Sequence, residues 1–382
     1  MSSTPALPTI PVLPADALRR MLAVRDLTDP AGGDHAIQQL IDAVEAALAG
    51  RWQVPVRRRQ TNPVASTSDN YDRLRYDPAD VTRDARYTRY VRADLVLRSH
   101  TTAMIPPLLD ELSAEPVPDV VLSCPGIVYR RDVIDRQHVS EPHQHDIWRI
   151  RAGVGRRLDE RDLEEQIEAV LAAAVPGRKY RTTPAVHPYT LAGRQIDAAD
   201  GDRWVEVGEC GLAHPEVLAY AGLPPDASGL AMGLGLDRLL MLRKGIDDIR
   251  LLRSTEPRVA AQMNDLAAYV PVSAMPPARR DLSIAVDGDV VEEEMGDRLR
   301  EALGPHTRSV ESVEVLAVTA AEDLPAPARD RIGITAGQRN VLLRVVLRDL
   351  ERTLTTEDAN RLRDRIYAAL HQGEAHQWAG RG

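Results

Sequence analysis

The stretch at residues 125–146, PGIVYRRDVIDRQHVSEPHQHD, constrains the fold of this chain more than any other part of its sequence. Residues 127–130 alternate as in a strand, a turn-rich segment follows, and alternation returns over residues 143–150. This pattern predicts a β-hairpin whose loop and second strand carry arginine, histidine, glutamine and carboxylate groups. Arginine can bind a phosphate or a carboxylate through two hydrogen bonds, and glutamine or aspartate can accept from an ammonium group. Taken alone, the stretch fits a site for a nucleotide and a zwitterion, or a charged hairpin exposed to solvent, about equally well.

Four further blocks accompany the hairpin, between residues 70 and 242. They are NYDRL at residues 70–74, LRSHTTA at 97–103, WVEVGECGLAHP at 204–215 and GLAMGLGLDRLLML at 229–242. Together with YRRD and HQHD of the hairpin, these blocks resemble, in order, the catalytic chain of phenylalanyl-tRNA synthetases, which are class II aminoacyl-tRNA synthetases. The hairpin resembles motif 2 of that class and residues 229–242 resemble motif 3. The resemblance implies an α+β fold, with an antiparallel sheet flanked by helices forming a catalytic domain over residues 15–270.

The C-terminal part of the chain resembles the ferredoxin-fold anticodon-binding domain attached to phenylalanyl-tRNA synthetases. The resemblance rests on PPARRDLSIAV at residues 276–286 and ERTLT at residues 351–355, after a proline-rich linker. The sequence pattern predicts helices at 292–303 and 357–370 and strands near 310–318 and 341–348. We therefore expect a ferredoxin-like βαββαβ domain over residues 276–382. This arrangement, a catalytic core joined to an anticodon-binding domain in one chain, resembles the single-chain, organellar type of synthetase more than the heterotetrameric type.

The resemblance implies an enzyme that uses ATP and Mg²⁺ to activate an amino acid as an aminoacyl-adenylate and then charges a tRNA. In such enzymes ATP binds in a bent form, and the amino-acid carboxylate attacks the α-phosphate in line. The implied catalytic residues are Arg130, on the α-phosphate and the carboxylate, and Arg238, on the γ-phosphate. Asp132 and His138 would also contact ATP, and Glu206 is the candidate ligand for Mg²⁺.

The implied amino-acid site has an ammonium-binding part and a side-chain pocket. The ammonium group would be held by His100, Thr102, Gln144 and Asp146. The side-chain pocket would be lined by Ala231, His187 and Tyr189. His187 and Tyr189 stand where the family has phenylalanine. The pair could favour a polar aromatic substrate, because a buried polar group favours a ligand that satisfies it, or Tyr189 could simply substitute for the missing ring.

The chain contains no phenylalanine among its 382 residues. Other residues stand at positions where the family has phenylalanine, including Tyr71, Leu230, Met232 and Leu252. GC-rich codon usage lowers phenylalanine content, but loss at so many family positions favours selection against this residue. As a hypothesis, such a chain can be synthesised without charged phenylalanine tRNA.

Three functions are compatible with these observations. The first is a ligase that charges the tRNA for phenylalanine, and the second is a paralogue that activates a non-standard aromatic amino acid. The third is a catalytically silent RNA-binding or regulatory homologue, against which the presence of Arg130, Gln144 and Arg238 argues. The sequence favours the first function.

Net charge, cysteine spacing and the lengths of apolar runs restrict the cellular location and the binding partners that we expect. The net charge of −9 excludes a generally basic surface, so any tRNA contact would rest on local arginine patches. Cys124 and Cys210 lack the spacing of a metal site. The absence of an eighteen-residue apolar run and of a basic presequence predicts a cytoplasmic protein without membrane association. We expect a disordered N-terminus over residues 1–14 and a monomer or homodimer.

Overall fold

The computed structural model of the protein describes residues 11–272 and 275–375. Its Cα positions form two compact units. Of the described residues, the first unit holds 11–130, 141–246 and 261–269, and the second holds 131–140, 247–260, 270–272 and 275–375. The linker region near residue 270 thus ends the first unit, but two shorter segments of the preceding sequence group with the second.

The first unit consists of seven α-helices and ten strands among the described residues. The helices are α1 (Ala15–Leu22), α2 (Ala36–Trp52), α3 (Thr67–Asn70), α4 (Ile105–Ala114), α5 (Glu160–Ala174), α6 (Pro215–Tyr220) and α7 (Leu236–Lys244). The strands are β1 (Val56–Arg58), β2 (Val64–Ser66), β3 (Arg89–Arg92), β4 (Leu95–Leu97), β5 (Asp119–Ile127), β6 (His143–Arg151), β7 (Tyr180–Pro184), β8 (Thr190–Asp200), β9 (Arg203–Ala213) and β10 (Ser228–Gly235).

A seven-stranded sheet in the order β1-β5-β6-β10-β9-β8-β7 forms the centre of this unit. Every pairing in it is antiparallel except that of β1 with β5. A separate three-stranded sheet has the order β2-β4-β3. The predicted α+β fold with a largely antiparallel sheet and flanking helices is confirmed.

Strand β10 separates small side chains from large ones. Its sequence, SGLAMGLG, alternates Gly or Ala with Leu230, Met232 and Leu234, which are at most 1% exposed. Because successive side chains of a strand point to opposite faces, Ala231 and Gly233 share the face without bulky groups. This face is the floor on which the candidate site is built.

The predicted hairpin is present, but its first strand lies earlier than the sequence indicated. Strand β5 ends at Ile127, and β6 begins at His143. Tyr129 therefore lies beyond the strand, where its backbone N–H donates to Arg98 O at 2.9 Å. Residues 128–130 form an extended segment that leaves the sheet after β5. Arg130 therefore lies outside the regular strand.

Helix boundaries follow the sequence pattern closely in places. Helix α5 begins after Asp159, whose side chain accepts from Arg161 N and Asp162 N in a capping box. Helix α2 is capped by His35, whose side chain accepts from Ile37 N.

The predicted disordered N-terminus falls partly outside the described residues, which begin at residue 11. Within the described part, Leu13 N donates to Tyr90 O at 2.8 Å. The described chain is therefore hydrogen-bonded to β3 before α1 begins.

The second unit carries a three-stranded antiparallel sheet with helices packed on it. Its elements are α8 (Pro257–Ala260), β11 (Ala278–Asp287), α9 (Glu292–Leu303), β12 (Val310–Ala320), α10 (Ala326–Ile332), β13 (Gln338–Leu347) and α11 (Thr356–Leu370), with the strand order β11-β13-β12. Its hydrophobic core includes Ile284, Leu299, Leu343 and Ile366, all fully buried. Up to residue 375 no fourth strand follows α11, although Gln372 N donates to Ala285 O of β11 at 2.8 Å.

Residues 131–140 pack within this second unit. Ile134 belongs to its hydrophobic core, and Val313 N donates to Ile134 O at 2.8 Å. Arg136 forms an ion pair with Glu311 at 2.7 Å, and Arg300 Nη1 donates to Asp132 O at 2.7 Å. The loop of the predicted hairpin is thus held by contacts to the C-terminal sequence.

Across residues 11–272 and 275–375, none of the helices has the length and apolar character needed to cross a bilayer.

Candidate active site

The candidate site is centred on a row of residues that crosses three strands. In the sheet register, Asp146 of β6 pairs with Gly233 of β10, and Gly233 pairs with Glu209 of β9. Residues paired in this way point to the same face, so two carboxylates flank a glycine. The atom nearest to a Cβ built on Gly233 would be Asp146 Oδ2, at 3.4 Å. The floor between the two carboxylates is therefore open.

Asp146 is the most buried acidic group of this row, at 3% exposure. Its Oδ2 accepts from Thr102 Oγ1 at 2.8 Å, and its Oδ1 accepts from Trp148 Nε1 at 3.0 Å. Burial raises the pKa of Asp146 to about 6, although these hydrogen bonds favour the ionised form. Gln144 lies two residues earlier on the same face, where its Oε1 accepts from Thr101 N at 3.3 Å. The structure brings together Thr102, Gln144 and Asp146.

His100 lies beside this group with its ring nitrogens unsatisfied. Both Nδ1 and Nε2 are buried, and neither forms a hydrogen bond of normal geometry with a described residue. Burial lowers the pKa of His100 to about 3, and the charge of Arg130 acts in the same direction, so the ring is neutral at pH 7. Buried polar atoms are usually hydrogen-bonded, and a contact with the backbone of Asn70, which opposes the lowering of the pKa, meets this requirement only in part.

Tyr76 stacks on His100 and was not foreseen from the sequence. The two ring centroids are 5.7 Å apart, with an angle of 15° between the planes. Burial raises the pKa of the Tyr76 hydroxyl, with Arg130 acting in the opposite direction and Asp146 and Glu209 among the smaller causes. These electrostatic neighbours place Tyr76 at the same site. Its only sequence signal is a position two residues beyond the NYDRL block.

Arg130 is positioned through one nitrogen of its guanidinium group. Its Nε donates to Ser99 O at 2.8 Å, and within the described chain no carboxylate forms an ion pair with it. An arginine without an anionic partner is suited to bind a phosphate or carboxylate of a ligand.

Arg238 and Glu206 lie together at the start of helix α7. Arg238 Nη1 donates to Glu206 O at 3.2 Å and lies 3.9 Å from Glu206 Oε2. The preceding residue, Asp237, accepts from the backbone N–H of His143 at 2.5 Å, and its Oδ1 lies 3.0 Å from the ring Nδ1 of His143. This contact fixes the first turn of α7 to the start of β6, and it gives His143 a structural role.

The metal-binding capacity of the protein alone is small. Within the parts of the chain that the structure describes, no group of three His, Cys, Asp or Glu side chains is arranged to hold a metal ion. The Glu206 side chain is 48% exposed and can offer one carboxylate. One carboxylate fits Mg²⁺, which usually takes its remaining ligands from nucleotide phosphates and water.

Asp132 and His138, the other predicted ATP contacts, belong to the second unit. Asp132 Oδ1 accepts from Val133 N at 2.9 Å, and His138 Nδ1 lies 2.8 Å from the Asp135 carboxylate. The structure thus assigns these two residues to a different unit from the predicted site residues on the seven-stranded sheet.

The predicted side-chain pocket contains a chain of aromatic rings. Tyr189 stacks on Trp148 with centroids 6.1 Å apart and on His187 with centroids 5.9 Å apart. Ala231 is paired with Trp148 in the sheet register, which places it on the floor below these rings. His187, Tyr189 and Ala231 are thus brought together, and Trp148 is an additional member that the sequence did not reveal.

His187 is held between two polar side chains. Its Nδ1 lies 3.1 Å from Thr190 Oγ1, and its Nε2 lies 3.1 Å from Glu209 Oε2. The nearby His187 side chain lowers the pKa of Glu209, so this carboxylate is ionised at neutral pH. Glu209 lies within a sequence block that was recognised, but its place opposite Asp146 depends on the register of three strands.

The class of protein follows from comparison of its two parts with known families. Residues 23–263 match the tRNA synthetases class II core domain (F), and residues 273–376 match the ferredoxin-fold anticodon binding domain. The chain belongs to the class II tRNA synthetase core family, as the resemblance implied.

More particular similarity is found with alpha subunits of phenylalanine–tRNA ligase. The chain is 36% identical over 194 residues to that of Prochlorococcus marinus strain MIT 9313, a match that covers 50% of this chain and 56% of the relative. It is 32% identical over 194 residues to that of strain NATL2A, with the same two shares. For Teredinibacter turnerae the identity is 31% over 226 residues, covering 58% of this chain and 65% of the relative. The chain thus spans between 56% and 65% of the length of these relatives.

Proposed function

We propose that this protein activates phenylalanine, or a close aromatic analogue, with ATP and transfers the aminoacyl group to the tRNA for phenylalanine. The observation that carries the proposal is the cluster around Asp146, where Thr102, Gln144 and the unsatisfied ring of His100 converge beside Arg130. An amino acid needs this combination, because its ammonium group requires an acceptor and its carboxylate requires a cation. The similarity to phenylalanine–tRNA ligase alpha subunits supports the choice of amino acid.

The reaction proceeds in two displacements. An oxygen of the amino-acid carboxylate forms a bond to the α-phosphorus, and the bond from that phosphorus to the bridging oxygen breaks, releasing pyrophosphate. A hydroxyl of the terminal tRNA ribose then attacks the carbonyl carbon of the adenylate, loses its proton and displaces AMP. Arg130 holds the carboxylate and the α-phosphate together, and Arg238 holds the γ-phosphate. Asp132 and His138 are proposed as further contacts of ATP.

Mg²⁺ would be held by Glu206 together with the phosphates and would neutralise the charge on the departing pyrophosphate. Glu206 is close to Arg238, with its Oε2 3.9 Å from the arginine Nη1. The two side chains therefore serve the same end of the nucleotide.

A tRNA is the macromolecular partner we propose, since the anticodon-binding domain match covers residues 273–376. We also propose a cytoplasmic location. The chain is proposed to act as a monomer or homodimer, because the catalytic core and the anticodon-binding domain are joined in one chain. Retention of Arg130 and Arg238 disfavours a catalytically silent homologue.

The test is amino-acid-dependent ATP–pyrophosphate exchange, measured with aromatic amino acids in the presence and absence of tRNA. We expect exchange with wild-type protein and a loss of at least about 100-fold in kcat/KM for Arg130→Ala, because a charged contact to the reacting phosphate is removed. Arg161→Ala removes an arginine whose side chain is 81% exposed and serves as the matched control. A folded protein that shows no exchange with any aromatic amino acid, even with tRNA, would overturn the proposal.

A further inference from the structure

Glu209 brings an ionised carboxylate into the side-chain pocket. It lies on the same face of the sheet as Asp146. Strand β10, which contributes Gly233, lies between the two residues. Adjacent strands are about 4.8 Å apart, so the two carboxylate-bearing residues are separated by roughly 9–10 Å at their Cα atoms. Two acidic groups at this separation can contact opposite ends of one small substrate.

The two carboxylates differ in what they can still bind. Asp146 already accepts from Thr102 and Trp148 and is 3% exposed. The Oε2 atom of Glu209 lies 3.1 Å from His187 Nε2, whereas its Oε1 accepts no hydrogen bond within the described chain. The Glu209 side chain is 45% exposed. One acceptor of Glu209 is therefore both ionised and open to the site.

The surroundings of Glu209 favour an aromatic ring with a polar edge. His187, which orients Glu209, is stacked on Tyr189, and Tyr189 lies 6.3 Å from Tyr76, centroid to centroid. These rings offer planar contact surfaces to a substrate ring. A bare phenyl edge placed against Glu209 would remove water from a charged oxygen without replacing its hydrogen bond. A hydroxyl or amino substituent would donate that hydrogen bond.

We propose that Glu209, oriented by His187, is the specificity-determining residue of the side-chain pocket and selects aromatic amino acids whose ring carries a hydrogen-bond donor. The inference rests on the proposed activation of an aromatic amino acid and narrows its substrate class. Asp146 holds the ammonium end, Gly233 leaves the floor open, and Glu209 accepts from the ring substituent.

The experiment compares kcat/KM for ATP–pyrophosphate exchange with phenylalanine, tyrosine, meta-tyrosine and 4-aminophenylalanine. For wild-type protein we expect at least one donor-bearing substrate to exceed phenylalanine by about tenfold or more, because a site built to bind a hydroxyl rejects the analogue that lacks it. Glu209→Gln keeps the shape of the side chain but removes its charge. It should reduce that preference by about tenfold, mainly through KM for the donor-bearing substrate.

A second variant and a control make the assignment specific. His187→Phe removes the group that orients Glu209 and should shift the preference towards phenylalanine. Glu168→Gln, which removes a carboxylate that is 67% exposed on α5, should leave the preference unchanged.

The outcomes separate this inference from the proposed function. Exchange that favours phenylalanine over all three donor-bearing substrates overturns the role of Glu209 and leaves the activation reaction standing. A preference for a donor-bearing substrate that is the same in wild type and Glu209→Gln also overturns it. Absence of exchange with every amino acid refutes the activation reaction and this inference with it.

Discussion

Replacing Asp146 with asparagine should stabilise the protein while removing the proposed activation of an amino acid. Burial raises the pKa of this carboxyl group from 3.8 to about 6, despite hydrogen bonds from Thr102 and Trp148. At pH 7 the folded protein therefore holds an ionised group that is more easily accommodated in the unfolded chain. A pKa difference of this size corresponds to about 3 kcal/mol of stability.

The sign of the pH dependence follows from the raised pKa. Asp146 contributes stability that is fully present below its unfolded pKa of 3.8 and is lost as the pH rises through about 6. Asparagine has nearly the same shape and does not titrate. The free energy of unfolding of Asp146→Asn should thus exceed that of wild type by up to about 3 kcal/mol at pH 7, and by about half as much at pH 5.

Urea denaturation at pH 5 and pH 7 measures this difference, and ATP–pyrophosphate exchange measures the accompanying loss of function. We expect kcat/KM to fall by at least about 100-fold, since the substrate ammonium group loses its anionic partner. Asp202→Asn removes an exposed carboxylate and is the control. A variant less stable than wild type at pH 7, or a difference independent of pH, would refute the reasoning about Asp146.

Two glycine substitutions on the floor of the site should separate binding from folding. In Gly233→Ala the new Cβ would have Asp146 Oδ2 as its nearest neighbour at 3.4 Å, so thermal unfolding should change little while KM for the amino acid rises several-fold in the exchange assay. In Gly211→Ala the new Cβ would lie 2.7 Å from Thr190 Cβ and 2.9 Å from Leu191 O, so urea denaturation should show a loss of about 1–3 kcal/mol. Equal stability of the two variants would contradict this distinction.

Local sequence patterns predicted the bounds of the helices better than the ends of the strands. The predicted helix at 292–303 coincides with α9 (Glu292–Leu303), and the one at 357–370 differs from α11 (Thr356–Leu370) by one residue, because apolar periodicity is a local signal. The alternation at residues 127–130 was wrongly taken as strand, since a short extended segment outside a sheet has the same pattern. Only the partner strand decides whether such a segment is paired.

The candidate site could be predicted where its residues lie in recognisable blocks. Thr102, Gln144 and Asp146 belong to blocks that resemble the family, and the structure places them together. Glu209 and Tyr76 could not be assigned in this way. Glu209 reaches the site through pairing between strands distant in sequence, and Tyr76 through stacking on His100.

The absence of phenylalanine is accommodated differently in the core and in the site. Leu230 and Met232, which stand where the resemblance implies phenylalanine, are at most 1% exposed on the apolar face of β10. Tyr71 is fully buried, and its hydroxyl bonds Thr88 Oγ1 and donates to Thr82 O at 3.2 Å. A buried tyrosine hydroxyl requires such partners.

His187 also has polar neighbours, with its Nδ1 3.1 Å from Thr190 Oγ1 and its Nε2 3.1 Å from Glu209 Oε2. A phenyl ring at this position would leave Glu209 without the group that orients it. The polar character of the side-chain pocket therefore depends on His187 together with Thr190 and Glu209. A substitution of His187 alone also changes the surroundings of the other two residues. For this reason the substrate preference has to be tested with Glu209 and His187 varied separately.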